Sequence, residues 1–260
     1  MNIVVCIKQV PDTTEVRLDP NTGTLIRDGV PSIINPDDKS GLEAALVIKD
    51  KIGAKVTVLT MGPAQAEKAL REALAMGADE AILLSDRAFA GADTWATSST
   101  LAAAIKKLDY DLIIAGRQAI DGDTAQVGPQ IAEHLRIPQV SYVEELELDG
   151  DKLLLKRAFE DGYHKIRVNM PCLITTLSEM NQPRYMSVGG IFDAYREKEI
   201  LRWTLEDIEV NKDHIGLKGS PTKVKKSFTK GVKAAGEKHE VEPQEAAKII
   251  VNKLKERHII

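Results

Sequence analysis

A chain of 260 residues can bury a full hydrophobic core, as one large domain or two smaller ones. Hydrophobic residues make up 43% and charged residues 28%, ordinary values that exclude global disorder. A net charge of −4 leaves no footprint for sequence-independent nucleic-acid binding, and no apolar run is long enough to insert across a membrane.

The N-terminal MNIVVCIKQV runs straight into a strand pattern with no signal or transit segment ahead of it. Cys6 and Cys172 form no C-x-x-C pair, so the chain is expected in a reducing, cytoplasmic compartment. Residues 2–10 are β-branched and continuous, as in a strand buried on both faces of a parallel sheet. VRLDPNTGTLIRDG predicts a hairpin excursion around its D-P-N-T-G turn. Asn35, Pro36, Asp37 and Asp38 start a helix that Gly53 ends. Residues 55–61 read as a second strand, 64–76 as a helix closed by Gly77, and 80–84 as a third strand. A loop over 85–93 leads to an alanine-rich helix over 94–107, and 111–115 is a fourth strand.

This alternation predicts an α/β fold with a doubly wound, five-stranded parallel sheet. Connections into strands are short, whereas those leaving strands are longer and polar. In such sheets ligands sit outside the carboxyl ends of the strands, so a nucleotide-sized ligand is expected there.

The turn after the fourth strand is dense in hydrogen-bonding groups: Gly116, Arg117, Gln118, Asp121, Gly122, Asp123 and Thr124. A helix from Thr124 to Leu135 would present free N–H groups to an anion. Asp123 and Gln126 match a D-x-x-Q capping box, so Asp123 reads either as a cap or as a ligand contact. Two aspartates would repel a phosphate unless they turn to a ribose hydroxyl, to the cap or to Arg117. A second candidate is SDRAFAGADTWATSS, where Asp93 can cap and Thr94 and Thr97 fall on adjacent helical turns. Threonines bonded back to their own helix are the bland alternative.

Beyond Val140 the runs 144–148 and 153–159 flank a D-G-D turn, and 165–168 and 172–177 follow, giving an antiparallel extension. The expected division is a nucleotide-binding domain over 1–186, then a loop, an extended arm and a C-terminal helix over 187–260. The amphipathic pattern of 243–257 suits a surface on a partner subunit. No G-x-G-x-x-G follows the first strand and no P-loop is present. The five histidines lack metal-ligand spacing, His134 is expected on the surface of its helix, and Cys6 reads as a small buried residue. No catalytic side chain and no metal are expected, so any redox chemistry belongs to a cofactor.

VVCIKQVPD, INPDD, LTMGPAQ, ALAMGAD, GRQAIDGDTAQVGP with its following PQV, and MNQPRYM resemble, in order and spacing, the beta subunit of electron transfer flavoproteins. The resemblance implies an adenine-nucleotide-binding sheet and an alpha subunit as heterodimer partner, wrapped by the C-terminal arm. It also implies a pocket formed by Cys6, Asn35, Asp37, Asp38, Met61 and residues 116–127, with Gly116, Arg117, Gln118, Asp121, Gly122, Asp123, Thr124, Gln126 and Val127. DRAFAGADTWATS resembles the electron-bifurcating members. There the pocket holds FAD, NADH is the donor, and ferredoxin or flavodoxin is the low-potential acceptor. Thr94 and Thr97 would then contact the flavin, with Phe89, Ala90 and Gly91 near NADH. The segment after P-R-Y implies docking of an acyl-CoA dehydrogenase through Val188, Ile191, Phe192 and Tyr195, although Gly189, Gly190 and Asp193 depart from the simpler members. The alternatives are a non-bifurcating carrier with AMP in the same pocket and a stand-alone nucleotide-binding signalling domain.

Overall fold

The computed structural model describes residues 1–12, 31–225 and 236–260, and the hairpin expected over 16–29 lies outside them. It forms two compact units, Met1–Lys225 and Lys226–Ile260.

The first unit is built on one nine-stranded sheet. In chain order its strands are β1 (Asn2–Cys6), β4 (Lys55–Met61), β5 (Glu80–Leu84), β6 (Leu112–Gly116), β7 (Gln139–Asp149), β8 (Lys152–Phe159), β9 (Gly162–Asn169), β10 (Cys172–Thr176) and β11 (Ile200–Trp203). The order across the sheet is β11-β5-β4-β1-β6-β10-β7-β8-β9. From β11 to β7 all neighbours are parallel, and β8 and β9 add antiparallel hairpins. The expected parallel α/β sheet is therefore present, and wider than five strands. The run 172–176 joins the parallel part instead of the hairpins, because the eleven-residue β7 pairs β10 with its first half and β8 with its second. Residues 2–10 are two strands: β2 (Gln9–Pro11) leaves the main sheet and pairs antiparallel with β3 (Ser32–Ile34).

Helices α1 (Pro36–Ile52) and α2 (Glu67–Met76) cover one face; α3 (Thr94–Ile105) and α4 (Val127–Leu135) cover the other. The two buried clusters match this division. Leu42, Leu46, Leu70 and Leu74 pack with Val5, Val58 and Ile114 on one side, while Leu101, Ile105 and Ile131 pack with Val4, Leu59 and Ile113 on the other. Alternate residues of each central strand thus feed opposite cores, which explains their unbroken apolar character.

One helix was not legible in the sequence. α5 (Val188–Arg196) forms through two glycines because Ser187 caps it, accepting the Gly190 N–H at 2.9 Å. Gly190 lies so close to α2 that a Cβ there would fall 2.3 Å from the Ala75 carbonyl oxygen, a contact only glycine allows. Arg71 of α2 donates to the Ala194 carbonyl and, at 2.8 Å, to that of Lys198. In the second unit α6 (Pro243–Glu256) starts on Pro243 and carries ion pairs from Lys253 to Glu237 and Glu256. No helix among the described residues is long and apolar enough to cross a membrane.

Arg184, in the P-R-Y segment, ties the chain after β10 to α1. Its guanidinium donates to Glu43 at 2.9–3.1 Å and to Asp50 at 2.8 Å, and its backbone N–H donates to Glu43 at 3.0 Å. Glu43 is only 6% exposed, so losing its counter-charge leaves a nearly buried carboxylate. Arg184→Ala is expected to lower unfolding stability by about 2–3 kcal/mol, seen as a lower denaturant midpoint at constant slope. Adding Glu43→Gln should recover part of the loss.

Candidate functional site

The strand order fixes where a ligand can sit. The chain moves from β1 outward through β4 and β5, then crosses back through α3 to β6 on the other side of β1. The reversal point lies between β1 and β6, whose carboxyl ends meet with Cys6 opposite Ala115. The segments leaving β1 and β6 flank this crevice, and Met61 ends β4 one strand away, half-buried.

The crevice is held by the start of α1. Asp38 accepts the Lys8 N–H at 2.7 Å and the Gly116 N–H at 3.0 Å, tying the ends of β1 and β6 together. Asp37 accepts the Ser178 N–H at 2.9 Å and the Gln118 N–H at 3.4 Å, and Thr176 donates to its carbonyl at 3.0 Å. Asn35, fully buried, accepts the Ile120 N–H at 3.1 Å and donates to the Gln118 carbonyl at 2.8 Å. These three predicted site residues thus hold together the chain segments that flank the crevice. Burial, with the Asp38 charge adding to it, pushes the Cys6 thiol up to about 12, so it stays a neutral, unreactive thiol at neutral pH.

The turn after β6 differs from its expected form. The helix begins at Val127, not Thr124, and no side chain caps it. Asp123 and Ala125 both have left-handed backbones, φ 47° and 51°, which turns the Asp123 carboxylate away from the helix start. The capping box is therefore not formed. Asp123 instead accepts from the Gln118 amide at 2.9 Å. Asp121 pairs with Lys8 at 2.7 Å, and Arg117 lies 3.3 Å from Asp37 without hydrogen-bond alignment. Each acidic group along the turn is thus offset by a donor or a cation. The uncapped first turn of α4 leaves backbone N–H groups open, with Gly122 and Thr124 exposed beside them. An anion would meet open N–H groups and the space around Gly122 here, beside the half-buried Arg117 guanidinium, whose Nε is buried against Asp37.

The second predicted loop reaches the same rim. Asp93 caps α3 as expected, accepting the Ala96 N–H at 2.9 Å. Thr94 donates to Gln126 at 2.7 Å, joining the start of α3 to the start of α4. Thr97 follows one turn on, half-buried. Ala90 and Gly91 are exposed, whereas Phe89 is buried among Leu84, Leu101 and Ile215. His134 is not a free surface residue: it lies 3.2 Å from Ser98 and edge-on to Trp95, and burial lowers its pKa. Val188, Phe192 and Tyr195 project outward, 87%, 59% and 63% exposed, with Ile191 less so.

Sequence reasoning missed Lys8 and Thr176. Each sits at a strand end without a motif of its own, and only the register brings it to the acidic pair. Among the described residues no three or more His, Cys, Asp or Glu side chains converge as a metal site. A cavity of about 890 Å³ lies elsewhere, between α1 and the β7–β9 hairpins.

Burial pushes the Asp38 carboxyl up to about 7, against the pull of the Asn35, Lys8 and Gly116 donors. A folded-state pKa above the ordinary 3.8 means the folded chain holds this proton more tightly, so the stability it contributes at acid pH is lost as pH rises from about 4 through about 7. Thermal unfolding followed from pH 5 to 8 should show this decline. Asp38→Asn should flatten it while lowering stability throughout, since an amide NH₂ would face a backbone N–H.

The electron transfer flavoprotein domain matches residues 22–208. The chain is similar to the electron transfer flavoprotein subunit beta of Clostridium acetobutylicum, 66% identical over the whole of both chains. It is 60% identical, again over the whole of both, to the caffeyl-CoA reductase-Etf complex subunit CarD of Acetobacterium woodii. Over the whole of both it is also 50% identical to the acryloyl-CoA reductase electron transfer subunit gamma of Anaerotignum propionicum. Matched by the family's domain over most of its residues and alike along its full length, the chain belongs to the electron transfer flavoprotein family, as a beta-type subunit.

Proposed function

We propose that this subunit binds FAD across the rim between β1, β6 and α3 and acts, with an alpha subunit, as a cytoplasmic NADH-dependent electron-bifurcating flavoprotein. The observation that carries the reading is the Thr94–Gln126 hydrogen bond. It continues the phosphate rim of residues 116–127 into the 86–97 loop, a longer cradle than AMP alone requires. In this reading the open N–H groups of α4 and Arg117 bind the pyrophosphate, while Asn35, Asp37 and Asp38 keep the crevice in shape. Thr94 and Thr97 orient the far half of the dinucleotide, and Phe89, Ala90 and Gly91 border the NADH side. When bound, the flavin supplies the redox chemistry, taking up a hydride's two electrons and releasing them singly. No side chain of this chain serves as acid or base: the residues bind, orient and exclude water.

In this reading the alpha-subunit FAD and an acyl-CoA dehydrogenase would be the acceptors on one branch, and ferredoxin or flavodoxin on the other. The names of two relatives, a caffeyl-CoA reductase-Etf complex subunit and an acryloyl-CoA reductase electron transfer subunit, support an acyl-CoA oxidoreductase as partner. The exposed Val188, Ile191, Phe192 and Tyr195 on α5 supply an apolar docking face, and such anchors dominate interface energetics when buried.

Cofactors released from the purified heterodimer should amount to two FAD. One FAD with one AMP would favour the non-bifurcating carrier, and absence of rapid flavin bleaching on mixing with NADH would count against bifurcation. Phe192→Asp should leave NADH-driven flavin reduction unchanged and slow electron delivery to the dehydrogenase at least tenfold, a loss on the order of 1.4 kcal/mol in docking. Unchanged delivery would remove α5 from the docking site.

A further inference from the structure

The 86–97 loop is held by a distant part of the chain. Asp86 and Asp93 bracket it, and each carboxylate does two things. Asp86 accepts the Ala88 N–H at 2.9 Å within the loop and the Leu205 N–H at 3.2 Å from beyond β11. Asp93 caps α3 through Ala96 and also accepts the Thr222 N–H at 2.9 Å and the Thr222 hydroxyl at 2.7 Å. Between these ends Leu217 donates its N–H to the Ala90 carbonyl at 2.9 Å. The Ser220 hydroxyl accepts the Asp93 N–H at 2.8 Å and donates to the Gly216 carbonyl at 2.8 Å. Gly216 has φ +57°, and a Cβ there would fall 2.1 Å from the Ala88 carbonyl oxygen, so the two segments lie backbone against backbone. Ile208 and Ile215 are buried in the cluster that holds Phe89.

We infer that residues 205–222 form a strap that sets the 86–97 loop, and that Asp93 with Thr222 is a positioning pair aligning Thr94 for the far half of the bound dinucleotide. This rests on the reading of the pocket as an FAD site. The geometry makes the pair specific to that half: Asp93 immediately precedes Thr94 and fixes the first turn of α3, whereas residues 116–120 are held by Asn35, Asp37 and Asp38. Burial raises the Asp93 carboxyl, but the Ala96 and Thr222 donors outweigh it and keep its pKa below the ordinary value, so the carboxylate is charged at neutral pH. Hydrogen bonds to a charged group are stronger than neutral ones, which makes Thr222 a lock and not merely a contact.

The test uses the full-length chain in its complex with the alpha subunit, comparing Thr222→Val, which removes the hydroxyl, with Thr222→Ser, which keeps it. Amide hydrogen exchange over residues 88–97 should be about three- to tenfold faster in the valine variant, and FAD affinity should fall by a similar factor, while AMP affinity stays unchanged. The serine variant should restore both. Ser220→Ala provides a second variant on the other side of the same lock, should the valine protein fold poorly. Unchanged exchange and unchanged FAD affinity in both disrupting variants would overturn the strap, as would an equal loss of AMP and FAD affinity. If the parent complex takes AMP and no FAD in this pocket, the FAD reading fails and with it the positioning role; the exchange difference then still reports whether the strap holds the loop.

Discussion

Two adjacent carboxylates at the start of α1 join strand ends that the sheet alone would leave apart. Asp38 spans Lys8 after β1 and Gly116 at the end of β6, and Asp37 spans Gln118 and Ser178 after β10. Stripping water from a carboxylate costs several kcal/mol, and each charge-assisted bond returns on the order of 1.5–3 kcal/mol. For Asp38 the bonds offset only part of the burial, which is why its carboxyl is pushed up to about 7. What they secure is position: three polar connections start from a common anchor at the sheet's reversal point.

From that anchor the turn after β6 can afford an unusual backbone. Two left-handed residues, Asp123 and Ala125, delay the helix to Val127 and leave its first N–H groups uncapped. A capped helix would have spent those donors on its own side chain. Charge is managed in the same place, with Lys8 set on Asp121 and the Gln118 amide on Asp123, so each of these acidic residues faces a cation or a donor. The rim then passes, through Thr94 and Gln126, to a loop whose own position depends on a segment more than a hundred residues further on. The crevice and α5 are built differently. The crevice is framed by a buried polar network, whereas α5 presents apolar side chains to solvent on a helix pinned beneath by Arg71.

Periodicity and punctuation in the sequence determined the alternation of strands and helices and the parallel sheet, and so which loops leave the carboxyl ends of its strands. Those features are local: β-branched runs, Gly53 and Gly77 as stops, Pro36 and Asp93 as starts. Residue motifs also marked Gly116–Gln126 and Thr94 as candidates, and a Thr94–Gln126 hydrogen bond joins the two segments. Tertiary structure alone decided the rest. Asp123 turned out not to cap because its φ is set by the chain's path over Asn35 and Gln118, which no D-x-x-Q spacing encodes. Cys172–Thr176 became a parallel strand because β6 had a free edge to pair with, and α5 formed through two glycines because α2 lay close enough to require one. Lys8, Thr176 and Thr222 matter only through partners 30 or more residues away. Short-range preference fixes elements; burial and long-range hydrogen bonding fix which of their side chains meet.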